Sequence, residues 1–123
     1  MLDFQAIGIS LGDHPMSVLK TEREKKGALD SQALKSLKNN QRTRHAGMVV
    51  SRQMPPTANG VLFVTLEDEC GLSNLIFWKD VAKQYEEIIW KHSFYFVEGT
   101  IQKDAKSEIV HLIVNSLQPF APN

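Results

Sequence analysis

Hydrophobic and polar residues alternate in five short stretches after residue 45, whereas the pattern before that point is different. β-branched and aromatic residues dominate each stretch, and glycine, proline, asparagine or charged residues bound it. Such runs are typical of β-strands, so the sequence predicts five of them. The five stretches are AGMVVSRQ, VLFVTLED, LSNLIFW, FYFVEGTIQ and IVHLIVNSL.

A helical pattern lies between the third and fourth predicted strands. Its apolar residues recur at helical spacing, and Asp80 stands before them where an N-cap would be. The order strand, strand, strand, helix, strand, strand is that of the OB-fold, a small barrel that binds oligonucleotides and oligosaccharides. The sequence therefore predicts an all-β, five-stranded OB-fold barrel with a helix between strands 3 and 4. The apolar helical residues are Val81, Tyr85, Ile88 and Ile89.

The chain before the first predicted strand is more polar. A charged run over residues 20–26 precedes Gly27, a common helix terminator, and Asp30 or Ser31 can cap a second short helix. The mixed signs of the charged run favour a solvated helix face over a nucleic-acid contact. We expect two segments: a loosely packed helical lead-in, residues 1–40, and the OB-fold domain, residues 41–123.

Composition places the chain among ordinary globular domains. Hydrophobic residues make up 42% of its 123 residues and charged residues 23%, which argues against wholesale disorder. No apolar run reaches the roughly 18 residues that a membrane-spanning helix needs, and the N-terminal pattern is not that of a secretory signal. The single cysteine, Cys70, cannot form an internal disulfide, which fits a reducing compartment. We therefore expect a cytoplasmic protein without membrane contact.

Charge is balanced overall but unevenly distributed. Residues 41–60 carry three arginines and no acidic residue, whereas residues 61–90 carry six acidic residues and two lysines. Since the net charge is zero, the domain can bind a nucleic acid only through a local basic face.

The acidic cluster Glu67, Asp68 and Glu69 could in principle be a metal or catalytic site. Successive side chains of a strand point to opposite faces, so Glu67 and Asp68 cannot converge on one ion without a bulge. Because Gly71 follows, we interpret EDECG as the turn of a hairpin. The chain also lacks a nucleophile elbow, a phosphate-binding loop and metal-ligand spacing, so we expect no catalytic residue, metal or cofactor. The histidines, which we expect at the surface or rim, are His14, His45, His92 and His111.

Strand alternation predicts an exposed aromatic residue. If the alternate residues that begin with Leu62 fill the barrel, Phe63 and Thr65 point outward from the same strand. Asn74 points outward from the next strand by the same rule. This pairing joins a ring that can stack on a base to an amide that can hydrogen-bond a base edge. The residues predicted to point inward are Leu62, Val64, Leu66, Leu75, Phe77, Val97, Ile101, Val110, Leu112 and Val114.

Two predicted loops supply polar and basic side chains near this face. RQMPPTANG connects the first two strands and QKDAKSE connects the last two, and OB-folds usually hold a bound strand with these two loops. Alternatively, Phe63 packs beneath a loop or another domain. A basic rim around Phe63 would favour nucleic acid, whereas a broad apolar patch would favour protein docking. The candidate nucleic-acid-binding residues are Arg52, Gln53, Phe63, Thr65, Asn74, Lys79, Lys103 and Lys106.

The combined pattern resembles the C-terminal OB domain of the bacterial DNA polymerase III alpha-subunit family. The resemblance is carried by GMVVSRQ, FVTLEDECGLSNLIFW and FVEGTIQ, and upstream by AIGISLGDHPM and VLKTEREKKGALDSQALKSL, where it is similar to the error-prone branch. It covers nearly the whole chain. It implies a fragment of a DNA polymerase, a nucleotidyltransferase, whose catalytic residues lie in upstream domains. The fragment itself would bind the single-stranded DNA template without chemistry of its own, beside those upstream domains and other replication or repair proteins.

A second resemblance concerns the spacing of residues along the predicted hairpin. Phe63, Asp68, Gly71 and Asn74 are spaced as in the anticodon-binding OB domain of class II tRNA synthetases. There the corresponding phenylalanine stacks on an anticodon base and a glutamine reads it. Asn74 replaces that glutamine and Glu67 replaces an arginine, so the resemblance implies the stacking position without specific anticodon reading. A tRNA-anticodon-type RNA-binding domain and a protein-interaction OB module are therefore the alternatives.

Overall fold

Five strands form a closed barrel in the computed structural model, which describes Met16, residues 19–106 and residues 108–120. Their order around the barrel is β1-β2-β3-β5-β4, with β3 and β5 parallel and the other neighbouring pairs antiparallel. The predicted five-stranded barrel is thus confirmed. Residues 1–15 of the predicted lead-in, including His14, lie outside the described residues. The strands are β1 (Arg42–Gln53), β2 (Leu62–Asp68), β3 (Gly71–Phe77), β4 (Phe94–Lys103) and β5 (Val110–Pro119).

Short helices flank the strands. The predicted helix between β3 and β4 is present but is divided in two at Tyr85, whose φ of −105° and ψ of 16° depart from helical values. Asp80 was expected to cap it, and this prediction is wrong: the N-cap residue is Trp78, which makes no side-chain cap, and Asp80 lies in the first turn. Its charge there still complements the helix dipole. The helices are α1 (Lys20–Lys25), α2 (Ser31–Leu34), α3 (Lys79–Gln84) and α4 (Glu86–Lys91).

The barrel interior contains the residues that strand alternation predicted. All ten are buried except Val110, which is half-buried and packs against the others. Tyr95 joins this core, with its ring edge-on to Phe77 and its hydroxyl donating to the Ile89 carbonyl at 2.5 Å. The helices between β3 and β4 close this end of the barrel through Ala82 and Ile89.

The described part of the lead-in, Met16 and residues 19–40, is packed against the barrel, so the prediction of loose packing is wrong for these residues. Leu34 of α2 enters the barrel core. On the outer side of β1 and β4 the lead-in contributes to a second apolar cluster, which covers Phe96 with Leu19 and Phe120. The charged part of the lead-in that is described can pack this tightly because apolar residues such as Leu19 and Leu34 face the barrel. The full second cluster is Met16, Leu19, Ala28, Ala46, Phe94, Phe96 and Phe120.

The acidic cluster forms the tip of the β2–β3 hairpin, as interpreted from EDECG. Asp68 pairs with Gly71 across a two-residue loop, and Gly71 has a φ of +143°, which favours glycine. The Asp68 carboxylate accepts hydrogen bonds from the backbone N–H groups of Cys70 and Gly71 at 2.9 and 3.1 Å. Asp68 therefore stabilises its own turn, as acidic residues commonly do.

Candidate nucleic-acid interface

The outer face of β2 and β3 carries the predicted aromatic residue and is exposed at Phe63 and Asn74, although Ile76 of the same face is buried. Phe63 is 38% exposed and lies directly opposite Ile76 on β3. Thr65, two residues further along β2, lies opposite Asn74, which is exposed. Phe63 and Asn74 are therefore diagonal neighbours on the two strands. Such neighbours have side chains roughly 7–8 Å apart, so one nucleotide can reach both.

A bulge in β1 brings Gln53 to this face. The pairing of β1 with β2 shifts register between Val49 and Ser51, after which Arg52 lies opposite Val64 and Gln53 opposite Phe63. The extra residue changes which side chains point outward. The structure therefore brings together Gln53, Phe63, Thr65 and Asn74, which we call the β2–β3 face.

Arg52, by contrast, points away from the β2–β3 face toward the end of the barrel. Its guanidinium donates to the His92 carbonyl at 2.7 Å and to the Tyr95 hydroxyl at 3.2 Å. It also lies 5.5 Å from the ring centroid of Trp90, within the range of a cation–π contact. The expectation that Arg52 stands beside Phe63 is wrong, because the bulge at Val50 reverses the alternation at this position.

The three candidate lysines lie at the two ends of the face. Lys79 begins α3, and its aliphatic chain lies against Gly60 of the β1–β2 loop. Lys103 is held against the lead-in, since its ammonium donates to the Lys35 carbonyl at 2.8 Å. Lys106 is exposed in the β4–β5 loop, where its backbone N–H donates to Asp104. Lys106 is thus the candidate whose ammonium extends into solvent from the loop beside the face.

Trp78 is a candidate that strand alternation did not single out. It is 51% exposed and follows β3 with an extended backbone, φ −62° and ψ 156°. Side chains alternate along an extended chain, so Trp78 continues the outward row of Asn74 and Ile76. The signal was present in the sequence, because Trp78 has the same parity as Asn74.

The acidic side chains at the hairpin tip bind the lead-in. Ser31 donates to the buried Asp68 carboxylate from its backbone N–H at 2.7 Å and from its hydroxyl at 2.6 Å. Arg23, which is 2% exposed, pairs with Glu69 through two hydrogen bonds. Burial would raise the pKa of the Glu69 carboxyl, but the hydrogen bonds from Arg23, a backbone hydrogen bond and the positive charge of Arg23 together outweigh burial and hold that pKa below its usual value. These carboxylates already have protein partners.

His45 is buried between the lead-in and β3, so its expected place at the surface or rim is wrong. Its Nδ1 lies 2.7 Å from the Leu29 carbonyl and its Nε2 lies 2.7 Å from the Ser73 hydroxyl. A carbonyl can only accept, so Nδ1 carries the proton and the hydroxyl donates to Nε2 in the neutral ring. Burial lowers the pKa of His45, against the opposing effect of the Leu29 carbonyl. The ring therefore serves as a neutral cross-link.

Clusters of metal ligands and membrane-spanning helices are both absent from the described ranges. No three histidine, cysteine, aspartate or glutamate side chains converge there in a way that could hold a metal ion. No helix in the described part of the chain has the length and apolarity required to span a bilayer. The chemistry available on the β2–β3 face is therefore stacking, hydrogen bonding and contact with lysine.

Comparison with known families agrees with this geometry. A family model described as an OB-fold nucleic acid binding domain matches residues 44–120. The chain belongs to the OB-fold nucleic acid binding domain family. The match begins within β1 and includes the other four strands completely, whereas α1 and α2 of the lead-in precede it.

Relatives of this OB-fold domain extend the similarity to the lead-in. It is 38% identical over 122 residues to the error-prone DNA polymerase of Pseudomonas savastanoi pv. phaseolicola, covering 99% of this chain and 12% of the polymerase. It is also 38% identical over 116 residues to the error-prone DNA polymerase of Methylococcus capsulatus, covering 94% of this chain and 11% of that one. The chain thus spans about an eighth of the length of these relatives.

Solved structures with the same fold are more distant in sequence. Asparaginyl-tRNA synthetase from Pyrococcus horikoshii superposes with a TM-score of 0.61 at 19% identity, over 74% of this chain and 22% of that one. The hypothetical protein ygiW from E. coli superposes with a TM-score of 0.56 at 17% identity, over 74% of this chain and 87% of that one. At this level of identity both matches concern the OB-fold alone.

Proposed function

We propose that this OB-fold domain binds single-stranded DNA, the template strand, as part of a bacterial polymerase of the DNA polymerase III alpha family. The observation that carries the proposal is the open β2–β3 face, where Phe63 is exposed beside Gln53, Thr65 and Asn74. An unpaired base can stack on Phe63, whereas a base inside a duplex presents only its edges. The identity to error-prone DNA polymerases along the whole chain supports the polymerase context.

The domain has binding chemistry and performs no reaction of its own in this proposal. Residues 41–123 form the binding unit, and residues 1–40 join it to the upstream domains that carry polymerase activity. Those domains, and other replication or repair proteins, are its protein partners in the cytoplasm. Purified chain with a primed template, deoxynucleotides and magnesium should yield no extended primer. Extension that survives repurification would overturn this part of the proposal.

Fluorescence anisotropy tests the proposed DNA binding. It compares the affinity for a labelled oligo-dT of 15 nucleotides with the affinity for the same strand paired with its complement. We expect tighter binding to the single strand. Phe63→Ala should weaken that binding by about 1–3 kcal/mol, the usual contribution of an aromatic stacking residue. Trp90→Ala is the matched control, because Trp90 is an exposed aromatic residue that lies on α4 and not in the β2–β3 face.

The two variants distinguish nucleic-acid binding from protein docking. If Phe63→Ala keeps its fold and binds oligo-dT as well as the natural chain does, the β2–β3 face is not a stacking surface, and protein docking becomes the better explanation of its exposed aromatic residue.

Trp78→Ala is a second test of the same face, since Trp78 continues its outward row. We expect a loss of affinity smaller than or equal to that of Phe63→Ala.

A further inference from the structure

A groove of about 150 Å³ lies at the end of the β2–β3 face where β3 begins. It is enclosed by β3, the β4–β5 loop and helix α2 of the lead-in. Asn74 stands at its border with the face, so the groove continues the surface on which a strand would lie. Drug-sized ligands need pockets of about 300 Å³ or more, so this groove suits a smaller group such as one nucleobase.

The groove has two apolar walls and a buried apolar floor. Leu72 and Ile109 both line it from the neighbouring starts of β3 and β5, and they are 53% and 54% exposed. Leu112 forms part of the floor. A flat aromatic ring placed against Leu72 and Ile109 would cover apolar surface that is now exposed, which is favourable.

One neutral and one acidic polar side chain remain available in this groove for a ligand, beside the exposed Lys35 that also lines it. The hydroxyls of Ser31 and Ser73 are already bonded to Asp68 and His45. In contrast, no hydrogen bond joins the Asn74 amide or the Glu108 carboxylate to another side chain among the described residues. Asn74 can both donate and accept, whereas the ionised Glu108 only accepts.

The acidic side chain of Glu108 indicates which part of a nucleotide the groove would bind, because carboxylates repel the phosphates of a nucleic acid. Glu108 is exposed in the loop that also supplies Lys106, and its negative charge offsets that of Lys35, the lysine that lines the groove, where phosphate binding would need positive charge. A carboxylate is favourable beside a base that presents N–H donors to it. Guanine presents two adjacent donors, N1–H and the 2-amino group, which match the two oxygens of a carboxylate. Its O6 can accept from the Asn74 amide.

We propose that the groove lined by Leu72 and Ile109 is a guanine-preferring base site, in which Glu108 accepts from the N1–H and 2-amino groups and Asn74 donates to O6. The proposal rests on the proposed single-strand binding of the β2–β3 face and adds base preference to it. Thymine lacks the paired donors, and adenine presents one donor beside an acceptor. Hypoxanthine keeps N1–H and O6 but lacks the 2-amino group.

The test measures the affinity of the natural chain for oligonucleotides of 15 nucleotides. All positions are dT except the central one, which is dT, dA, dC, dG or deoxyinosine. We expect dG to bind tighter than dT or dA by at least about fivefold, the lower end for a bidentate base contact, with deoxyinosine between them. Each affinity is divided by that for oligo-dT, so that effects of net charge cancel.

Two variants test whether Glu108 and Asn74 cause the preference for dG over dT. Glu108→Gln and, separately, Asn74→Ala should reduce the dG-to-dT ratio toward one while leaving oligo-dT binding measurable. Asp104→Asn is the matched control: it removes the same charge from the same loop, and Asp104 does not line this groove. Its ratio should equal that of the natural chain.

The outcomes separate the two proposals. If neither the dT nor the dG oligomer binds, the proposed single-strand binding fails and the base site fails with it. If the oligomers bind with equal affinity, or if Glu108→Gln retains the full preference for dG, single-strand binding stands and the base site is overturned.

Discussion

Ser31 is joined to Asp68 by two hydrogen bonds, from its backbone N–H at 2.7 Å and from its hydroxyl at 2.6 Å. Both residues are buried, and they lie on different elements: Ser31 begins helix α2 of the lead-in, and Asp68 ends strand β2. One carboxylate thus closes the hairpin turn and satisfies an N–H at the start of a helix, a group that has no partner within the helix.

Asp68→Ala should be strongly destabilising. The substitution leaves the buried Ser31 groups and the turn N–H groups without their acceptor, and the loss should be about 3 kcal/mol of unfolding free energy. Urea unfolding followed by circular dichroism measures it. Glu24→Ala, which removes an exposed carboxylate on α1, is the control and should change stability by less than about 0.5 kcal/mol. Equal effects of the two substitutions would contradict the role assigned to Asp68.

His45 should make the fold sensitive to mild acid. Burial lowers its pKa in the folded chain, so the unfolded chain binds a proton more readily. This contribution to stability is fully present above the unfolded value, about 6.5, and decreases as the pH falls below it toward the folded pKa. The urea midpoint should therefore be lower at pH 5.5 than at pH 7.5.

The matched variants for this pH effect are His45→Gln and His92→Gln. His45→Gln should reduce stability at pH 7.5 and make it depend less on pH. His92 is exposed, and His92→Gln should keep the pH dependence of the natural chain. A His45→Gln chain with the same decrease from pH 7.5 to pH 5.5 would show that another group titrates.

Arg52→Ala should reduce stability and leave the salt dependence of DNA binding unchanged. The guanidinium packs on Trp90 and donates to the His92 carbonyl and the Tyr95 hydroxyl, so its loss should cost about 1–2 kcal/mol. Urea unfolding gives the first quantity and DNA titration in 50–200 mM salt gives the second. A salt slope that becomes flatter in Arg52→Ala, with stability intact, would restore Arg52 as a phosphate contact.

Lys106→Ala should change the salt dependence instead. If about three lysines each neutralise a phosphate, the slope of log affinity against log salt is near −2, and affinity falls roughly twentyfold between 50 and 200 mM salt. Removing Lys106 should flatten the slope by about 0.7. Phe63→Ala should weaken binding at every salt concentration with the slope unchanged, because stacking releases no counterions. Identical slopes for Lys106→Ala and the natural chain would exclude Lys106 from the interface.

Strand alternation was a reliable guide to the barrel because a two-residue period is set by backbone geometry. It placed Leu62 and Val64 inside and Phe63 outside, and the structure agrees. It gave no direction for Arg52 and Gln53 at the end of β1, where the bulge at Val50 inserts one residue into the pairing and places Gln53, not Arg52, opposite Phe63. Nothing in the local pattern of that strand marks the extra residue.

Polar pairs between distant segments could not be predicted either. Arg23 and Glu69 are 46 residues apart in sequence, and Ser31 and Asp68 are 37 apart. Each residue by itself resembles a solvated polar group, and only the fold brings the partners together. For the same reason the groove beside Asn74 was not predicted, because its walls come from the start of β3 and from the β4–β5 loop.

The attachment of the hairpin tip to the lead-in has a mechanical consequence. The β2–β3 hairpin carries Phe63 on its outer side, and its tip is fastened to α1 and α2 through Glu69 and Asp68. The direction in which a bound strand crosses the barrel is therefore fixed relative to residues 19–40. A neighbouring domain that holds residues 19–40 would thereby also aim the bound strand.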